Sequence, residues 1–179
     1  MPFPNELETD RLYLRPARED DAELIFRRYG QDPQVSRYMS WTPHRSLDDT
    51  LEFLRRRIGA NQEGKSAGYL IFSRDTGELL GDIGGGIGES RIQFGYCLAR
   101  DAWGHGFATE AALAFVAIAS SEPSIWRVQA YCDVENRASA RVLEKVGLTF
   151  EGTLRHYLVL PNLGDVARDV YCYAKVHKA

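Results

Sequence analysis

One segment constrains this chain more than any other: Gly95-Tyr96-Cys97-Leu98-Ala99-Arg100-Asp101-Ala102-Trp103-Gly104-His105-Gly106-Phe107-Ala108-Thr109-Glu110. It reads as a strand, a short glycine loop and the start of a helix. The first turn of a helix has N–H groups without intrahelical partners, and the macrodipole adds partial positive charge there. Gly104 and Gly106 let those groups close around an anion with no Cβ in the way, which suits a pyrophosphate. The same pair would also serve a tight strand-to-helix turn with no ligand. Nine of the sixteen glycines fall between Gly77 and Gly106. Glycine permits close backbone approach, so this crowding is the first place to look for a site.

Other nucleotide loops fit poorly. A P-loop requires a lysine after its last glycine, and none follows these. A dinucleotide fingerprint requires G-x-G-x-x-G/A, but the third slot is Thr109 counted from Gly104 and Arg91 counted from Gly86. Past Gly106 the chain reaches Ile125-Trp126-Arg127-Val128 with no acid for a ribose.

Periodicity and punctuation predict the surrounding elements. Leu12-Tyr13-Leu14 is a short strand stopped by Pro16. Asp20 or Asp21 caps a helix that ends at Gly30, and Ser46-x-x-Asp49 opens a second through Leu47, Leu51, Leu54 and Ile58. Strands Gly68 to Ser73 and Glu78 to Ile83 flank a turn at Arg74-Asp75-Thr76-Gly77. Strand Arg91 to Leu98, a helix from Gly106 to Ser120 and strand Ile125 to Cys132 follow. A helix from Asn136 to Val146 and strands Phe150 to Leu154 and Val166 to Tyr173 complete an α/β order with a mixed sheet.

Composition narrows the class. The 179 residues, 44% hydrophobic and 26% charged, suit one globular domain spanning 1–179 that needs no staples. A net charge of −3 argues against a strongly electrostatic nucleic-acid binder. The longest apolar run, Ala111 to Ala119, is far short of a membrane span. Met1-Pro2-Phe3-Pro4 lacks the basic start and apolar stretch of a secretory signal. Cys97, Cys132 and Cys172 form no C-x-x-C pair and read as reduced, cytoplasmic thiols. The histidines at 44, 105, 156 and 177 show no metal-ligand spacing, so no metal is expected.

Five ordered segments carry a resemblance. They are Thr9-Asp10-Arg11-Leu12-x-Leu14-Arg15, Gly95-Tyr96, Trp103 through Ala111, Asn136-x-x-Ser139-x-Arg141-Val142-Leu143-Glu144-Lys145-Val146-Gly147, and Phe150-Glu151-Gly152-x-Leu154-Arg155. Together they resemble the GNAT family of acyl-CoA N-acyltransferases, in its RimJ/RimL-like branch of ribosomal-protein and small-amine acetyltransferases. The resemblance implies a mixed, twisted β-sheet flanked by helices, with acyl-CoA in the cleft between splayed central strands. It implies acetyl-CoA as co-substrate and an amine acceptor: a protein N-terminal α-amine first, or a polyamine, amino acid or aminoglycoside-like drug. No nucleic acid or membrane partner is implied, and a homodimer is allowed.

Carried over by position, the phosphate loop falls on Trp103, Gly104, His105, Gly106, Phe107 and Ala108, with Thr109 following. Trp103 replaces the family's usual Gln or Arg, a change that binding through backbone N–H groups tolerates. His105 reads as a solvent-facing loop residue. The pantetheine arm would lie along Tyr96, Cys97 and Leu98 as an added strand, held by main-chain groups, with Cys97 half-buried and chemically idle. Asn136 would hold the pantetheine amide, although it also suits a helix cap. Ser139, at i+3 on the same face, is the candidate proton donor to the CoA thiolate or else an ordinary helical serine.

Two positions depart from the family pattern. Leu143 occupies the place where many members have a tyrosine, and Gln93 the place of a glutamate usable as base. The motif therefore assigns no base; Asp82, Glu89, His156 and Asp169 are candidates that also fit ordinary surface or ion-paired roles. These departures leave room for a non-catalytic acyl-CoA-binding module. Arg55-Arg56-Arg57 reads as a solvated helix face near the acceptor entrance, and Glu19-Asp20-Asp21 as acids placed by the macrodipole.

Overall fold

The computed structural model describes residues 3–176; Met1, Pro2 and the tail containing His177 lie outside the described residues. In chain order the strands are β1 (Leu7–Glu8), β2 (Leu12–Arg15), β3 (Ser66–Ser73), β4 (Leu79–Ile87), β5 (Arg91–Leu98), β6 (Arg127–Asp133), β7 (Thr149–Leu158) and β8 (Arg168–Val176). The helices are α1 (Ala22–Ile25), α2 (Pro33–Ser36), α3 (Leu47–Gln62), α4 (Phe107–Ser121) and α5 (Arg137–Lys145). The strands form one sheet in the order β1-β2-β3-β4-β5-β6-β8-β7. All neighbours are antiparallel except β5 and β6, so the expected mixed sheet is present.

Helices cover both faces. Strand β3 is buried on each side, and its side chains alternate between two cores. Tyr69 and Ile71 join Leu12, Ile83, Ile92 and Phe115 beneath α4, while Leu70 and Phe72 join Ile25, Tyr29 and Leu54 beneath α1 and α3. Phe115 is fully buried and its ring centroid lies 5.6 Å from that of Phe94. Helix α4 buries Ala111, Ala112, Phe115, Val116 and Ala119 against the sheet, while Leu113 on its other side is 48% exposed. The Ser46 capping box forms as read: Ser46 Oγ accepts the Asp49 N–H and an Asp49 carboxylate oxygen accepts the Ser46 N–H, each at 3.2 Å.

Three differences have local causes. Strand β1 and helix α2 are too short to generate periodicity. The helix expected from Asp20 to Gly30 is a 3-10 turn, then α1, then a wider π-helical turn over Phe26–Gly30. There Asp21 accepts the Arg18 N–H at 2.7 Å and pairs with Arg15, and Glu19 pairs with Arg55, so specific partners hold these acids. Finally, β4 continues through Gly84–Gly86 to Ile87. A Cβ on Gly84 would lie 2.7 Å from the Ala67 carbonyl oxygen, and one on Gly85 2.6 Å from that of Gln93. Much of the glycine crowding therefore serves close packing between strands.

Candidate active site

The parallel ladder between β5 and β6 stops early. Arg91, Ile92 and Gln93 pair with Arg127, Val128 and Gln129, yet β5 runs on to Leu98 and β6 to Asp133. Beyond Gln93 the strands splay, and the β5 edge facing β6 loses its ladder partner. A cleft of about 540 Å³ occupies this region, lined among others by Trp41, Arg57, Asp82, Tyr96, Asn136 and Ser139.

Across the splay, one strand side chain meets one helix side chain. Tyr96 Oη and Ser139 Oγ lie 3.0 Å apart, with either able to donate, and Oη also approaches the Ser139 carbonyl oxygen at 3.4 Å. Burial pushes the Tyr96 phenol well above its ordinary pKa, so it stays protonated at neutral pH. Where the resemblance implies a tyrosine, α5 carries Leu143, and the phenol near Ser139 comes from β5. The sequence hid this pairing because the residues are 43 positions apart. Cys132, also in the cleft, is pushed up to about 11 by burial and is not a thiolate.

Asn136 caps α5 with its side chain, not its backbone alone: Oδ1 accepts the Ser139 N–H at 3.1 Å. That leaves the Nδ2 donors for a ligand. The turn before it is fixed by Asp133, whose carbonyl accepts the Asn136 N–H at 2.8 Å and whose Oδ1 accepts the Glu135 N–H at 2.9 Å.

The glycine loop is preformed at the start of α4. Gly104 and Gly106 adopt φ of +81° and +82°, and Gly106 is an N-cap with no side-chain cap bond. The first-turn N–H groups of Phe107, Ala108 and Thr109 are thus available to an anion. The Thr9-x-Arg11 segment anchors this turn. Thr9 Oγ1 donates to Glu110 Oε1 at 2.6 Å, Arg11 Nε donates to Oε2 at 2.7 Å, and Arg11 Nη1 donates to the His105 carbonyl at 3.0 Å. Burial raises the Glu110 carboxyl, but Thr9 and Arg11 outweigh it and hold the group below its ordinary value. His105 is exposed, as expected for a loop residue.

The Leu98 carbonyl accepts the Trp103 indole N–H at 2.8 Å and keeps a second lone pair. Trp103 thereby ties the loop back to the end of β5. One expectation for the cofactor strand needs correction. Cys97 is buried at 7% exposure, not half-buried, and its thiol donates to Asp82 Oδ2 at 3.2 Å. Burial, together with the Asp82 charge, pushes that thiol well up.

Of the four base candidates, only Asp82 lines the cleft. Its carboxylate is already engaged by Arg57 Nη1 at 2.7 Å, Tyr29 Oη at 2.8 Å and Cys97. Glu89 is exposed in the turn after β4. His156, also exposed, has φ of +45° and donates its N–H to Asp169 at 2.8 Å. Gln93 is bonded to Gln129. Arg55 pairs with Glu19 on the solvated face, Arg56 pairs with Glu52 and is exposed where it lines the cleft, and Arg57 turns inward, a departure from the uniform solvated face.

The chain is similar to acetyltransferases of known sequence and structure. The acetyltransferase (GNAT) domain family matches residues 11–149. The uncharacterized N-acetyltransferase YoaA of Bacillus subtilis (strain 168) is 34% identical over 155 residues, covering 85% of this chain and 87% of that one. The microcin C7 self-immunity acetyltransferase MccE, solved with acetyl-CoA and AMP, superposes with a TM-score of 0.88 at 22% identity over 98% of each chain. RimL, the ribosomal L7/L12 α-N-protein acetyltransferase solved with coenzyme A, gives 0.84 at 24% identity, covering 94% of this chain and 95% of that one. At these identities the two structures establish the shared fold.

Proposed function

We propose that this chain, which belongs to the GNAT acetyltransferase family, moves an acetyl group from acetyl-CoA to the N-terminal α-amine of a protein. The observation that carries the reading is the pair of hydroxyls, Tyr96 and Ser139, placed across the point where β5 and β6 part. The residues fit an acyl-CoA. The first turn of α4 offers N–H groups to a pyrophosphate, the open edge of β5 offers main-chain groups to a pantetheine amide, and Asn136 Nδ2 offers a donor opposite. The acceptor amine attacks the thioester carbonyl directly, and the cleft brings the two into line. A main-chain N–H near Cys97 polarises the carbonyl.

As the C–S bond breaks, Ser139 Oγ–H gives its proton to the departing thiolate, and Oγ regains one from the ammonium formed on the attacking nitrogen, with the Tyr96 phenol bonded behind it. Among the described residues, the two carboxylates lining the cleft, Asp82 and Asp133, are held by Arg57 and Arg168, which favours an amine that is partly neutral unaided. A protein α-amine, with a pKa of about 8, meets that condition far better than a lysine or polyamine amine of about 10.

RimL acts on a protein α-amine, which supports the same acceptor class here. The test is an acceptor panel of N-terminal peptides, amino acids, polyamines and aminoglycosides, with release of CoA thiol as readout. Turnover greatest with peptides is expected. Greatest turnover with a polyamine or drug would replace the acceptor, and acetyl-CoA bound without discharge to any amine would identify a non-catalytic binding module.

A further inference from the structure

We infer that Arg57 is the acceptor-recognition residue, donating to a carbonyl or carboxylate oxygen beside the reacting amine. The inference rests on the acetyl-transfer reading of the cleft. Arg57 projects from α3 into the cleft with its side chain 26% exposed. Nη1 donates to Asp82 Oδ1 at 2.7 Å, and Asp82 is itself held by Tyr29 and Cys97, so the guanidinium plane is fixed from behind. Phe53 packs on it, with 5.4 Å from Cζ to the ring centroid.

Nη2 makes no hydrogen bond to any other described residue. It lies 3.3 Å from where a Cβ on Gly68 would stand and 3.4 Å from one on Gly84. Those glycines are directly paired across β3 and β4, so two neighbouring strands clear a floor under this one group. A held guanidinium with an unused donor in a substrate cleft is suited to one oxygen atom. A peptide N-terminus carries a carbonyl one carbon from its amine, and an amino acid carries a carboxylate there. A polyamine carries no oxygen and adds positive charge against Arg57. Arg57 thereby selects α-amines with an adjacent carbonyl.

The experiment compares an alanyl peptide amide with a propylamine of matched length, using wild type, Arg57→Lys and Arg57→Gln. Lysine keeps a charge for Asp82 but loses the fork. Melting temperature and CoA affinity verify that each variant is folded. Wild type is expected to prefer the peptide, and each variant to lose about ten- to a hundredfold in kcat/KM on the peptide, the size of one charge-assisted hydrogen bond, with much less loss on the alkylamine. Equal losses on both amines in a folded variant overturn the Arg57 assignment and leave acetyl transfer standing. Absence of thiol release from the wild type with every amine overturns both.

Discussion

Tyr96 Oη stands 3.0 Å from Ser139 Oγ, joining the strand that borders the cleft to the helix across it. Burial keeps the phenol protonated, and a protonated phenol can donate to Oγ while Oγ–H points to a leaving thiolate. Ser139→Ala is therefore expected to lower kcat by about ten- to a hundredfold with the CoA dissociation constant nearly unchanged. The loss is modest because a thiol with a pKa near about 8.5 leaves readily unaided. Tyr96→Phe should reproduce part of that loss, and the double variant should be no worse than Ser139→Ala alone. Additive losses in steady-state rates would show two independent hydroxyls, and full kcat in Ser139→Ala would make it a structural residue.

Asn136 performs two tasks with opposite ends of one amide. Oδ1 caps α5 through the Ser139 N–H, and Nδ2 is free for a ligand. Asn136→Asp keeps the cap and removes the donor, so it should leave the melting temperature within a few degrees while weakening CoA binding by about fivefold, or ~1 kcal/mol. Asn136→Ala should weaken binding similarly and also cost about 1 kcal/mol of stability through the lost cap. Calorimetric titration with CoA and thermal melts of both variants separate the tasks. Unchanged CoA affinity in Asn136→Asp would leave the residue a cap alone.

Gly106 sits at φ of +82° with only Arg11 Nη2, at 3.5 Å, near its missing Cβ. Space is not the constraint; backbone conformation is. A valine here would strain the fold as well as the anion seat, so Gly106→Val should lower both melting temperature and CoA affinity. Asparagine tolerates this region, and Gly106→Asn should keep the fold yet weaken CoA by about tenfold, or ~1.4 kcal/mol. If CoA affinity measured by titration survives in Gly106→Asn, the loop is a turn and not an anion seat.

What was legible in the sequence was local. The glycine loop, the α4 start and the Asn136 to Ser139 spacing follow from a few consecutive residues obeying helix geometry. The β5 and β6 splay was expected from the resemblance alone, because no residue pattern announces where a ladder stops. Two site relationships were invisible for a different reason. Tyr96 with Ser139 and Arg57 with Asp82 join positions 43 and 25 apart, and only the sheet order brings them together. Arg57 was further masked by two neighbouring arginines whose side chains stay exposed. Glycine crowding pointed to the right region with an incomplete reason, since Gly84 and Gly85 first admit neighbouring strands.

Asp133 lines the cleft as a buried carboxylate paired with Arg168. Its side chain is fully buried and accepts Arg168 Nη2 at 3.1 Å in addition to Nε. Burial pushes its carboxyl up, but Arg168 and the Glu135 N–H outweigh that and hold it below its ordinary value. A carboxylate with a depressed folded-state pKa contributes stability that is present above its unfolded value, about 3.9, and is lost as pH falls through the folded value. Arg168→Gln removes the countercharge and leaves Asp133 buried without it, so its pKa must rise and the variant must be less stable at pH 7. Lowering the pH protonates Asp133 in the variant first and relieves the unpaired charge. Urea denaturation from about pH 7 to 3 should therefore show the gap between wild type and variant narrowing toward the acid end. The Asp133 carbonyl also holds the turn into Asn136, so CoA affinity should be lower in Arg168→Gln at neutral pH. A stability gap constant across that range would mean that Arg168 contributes packing and not charge.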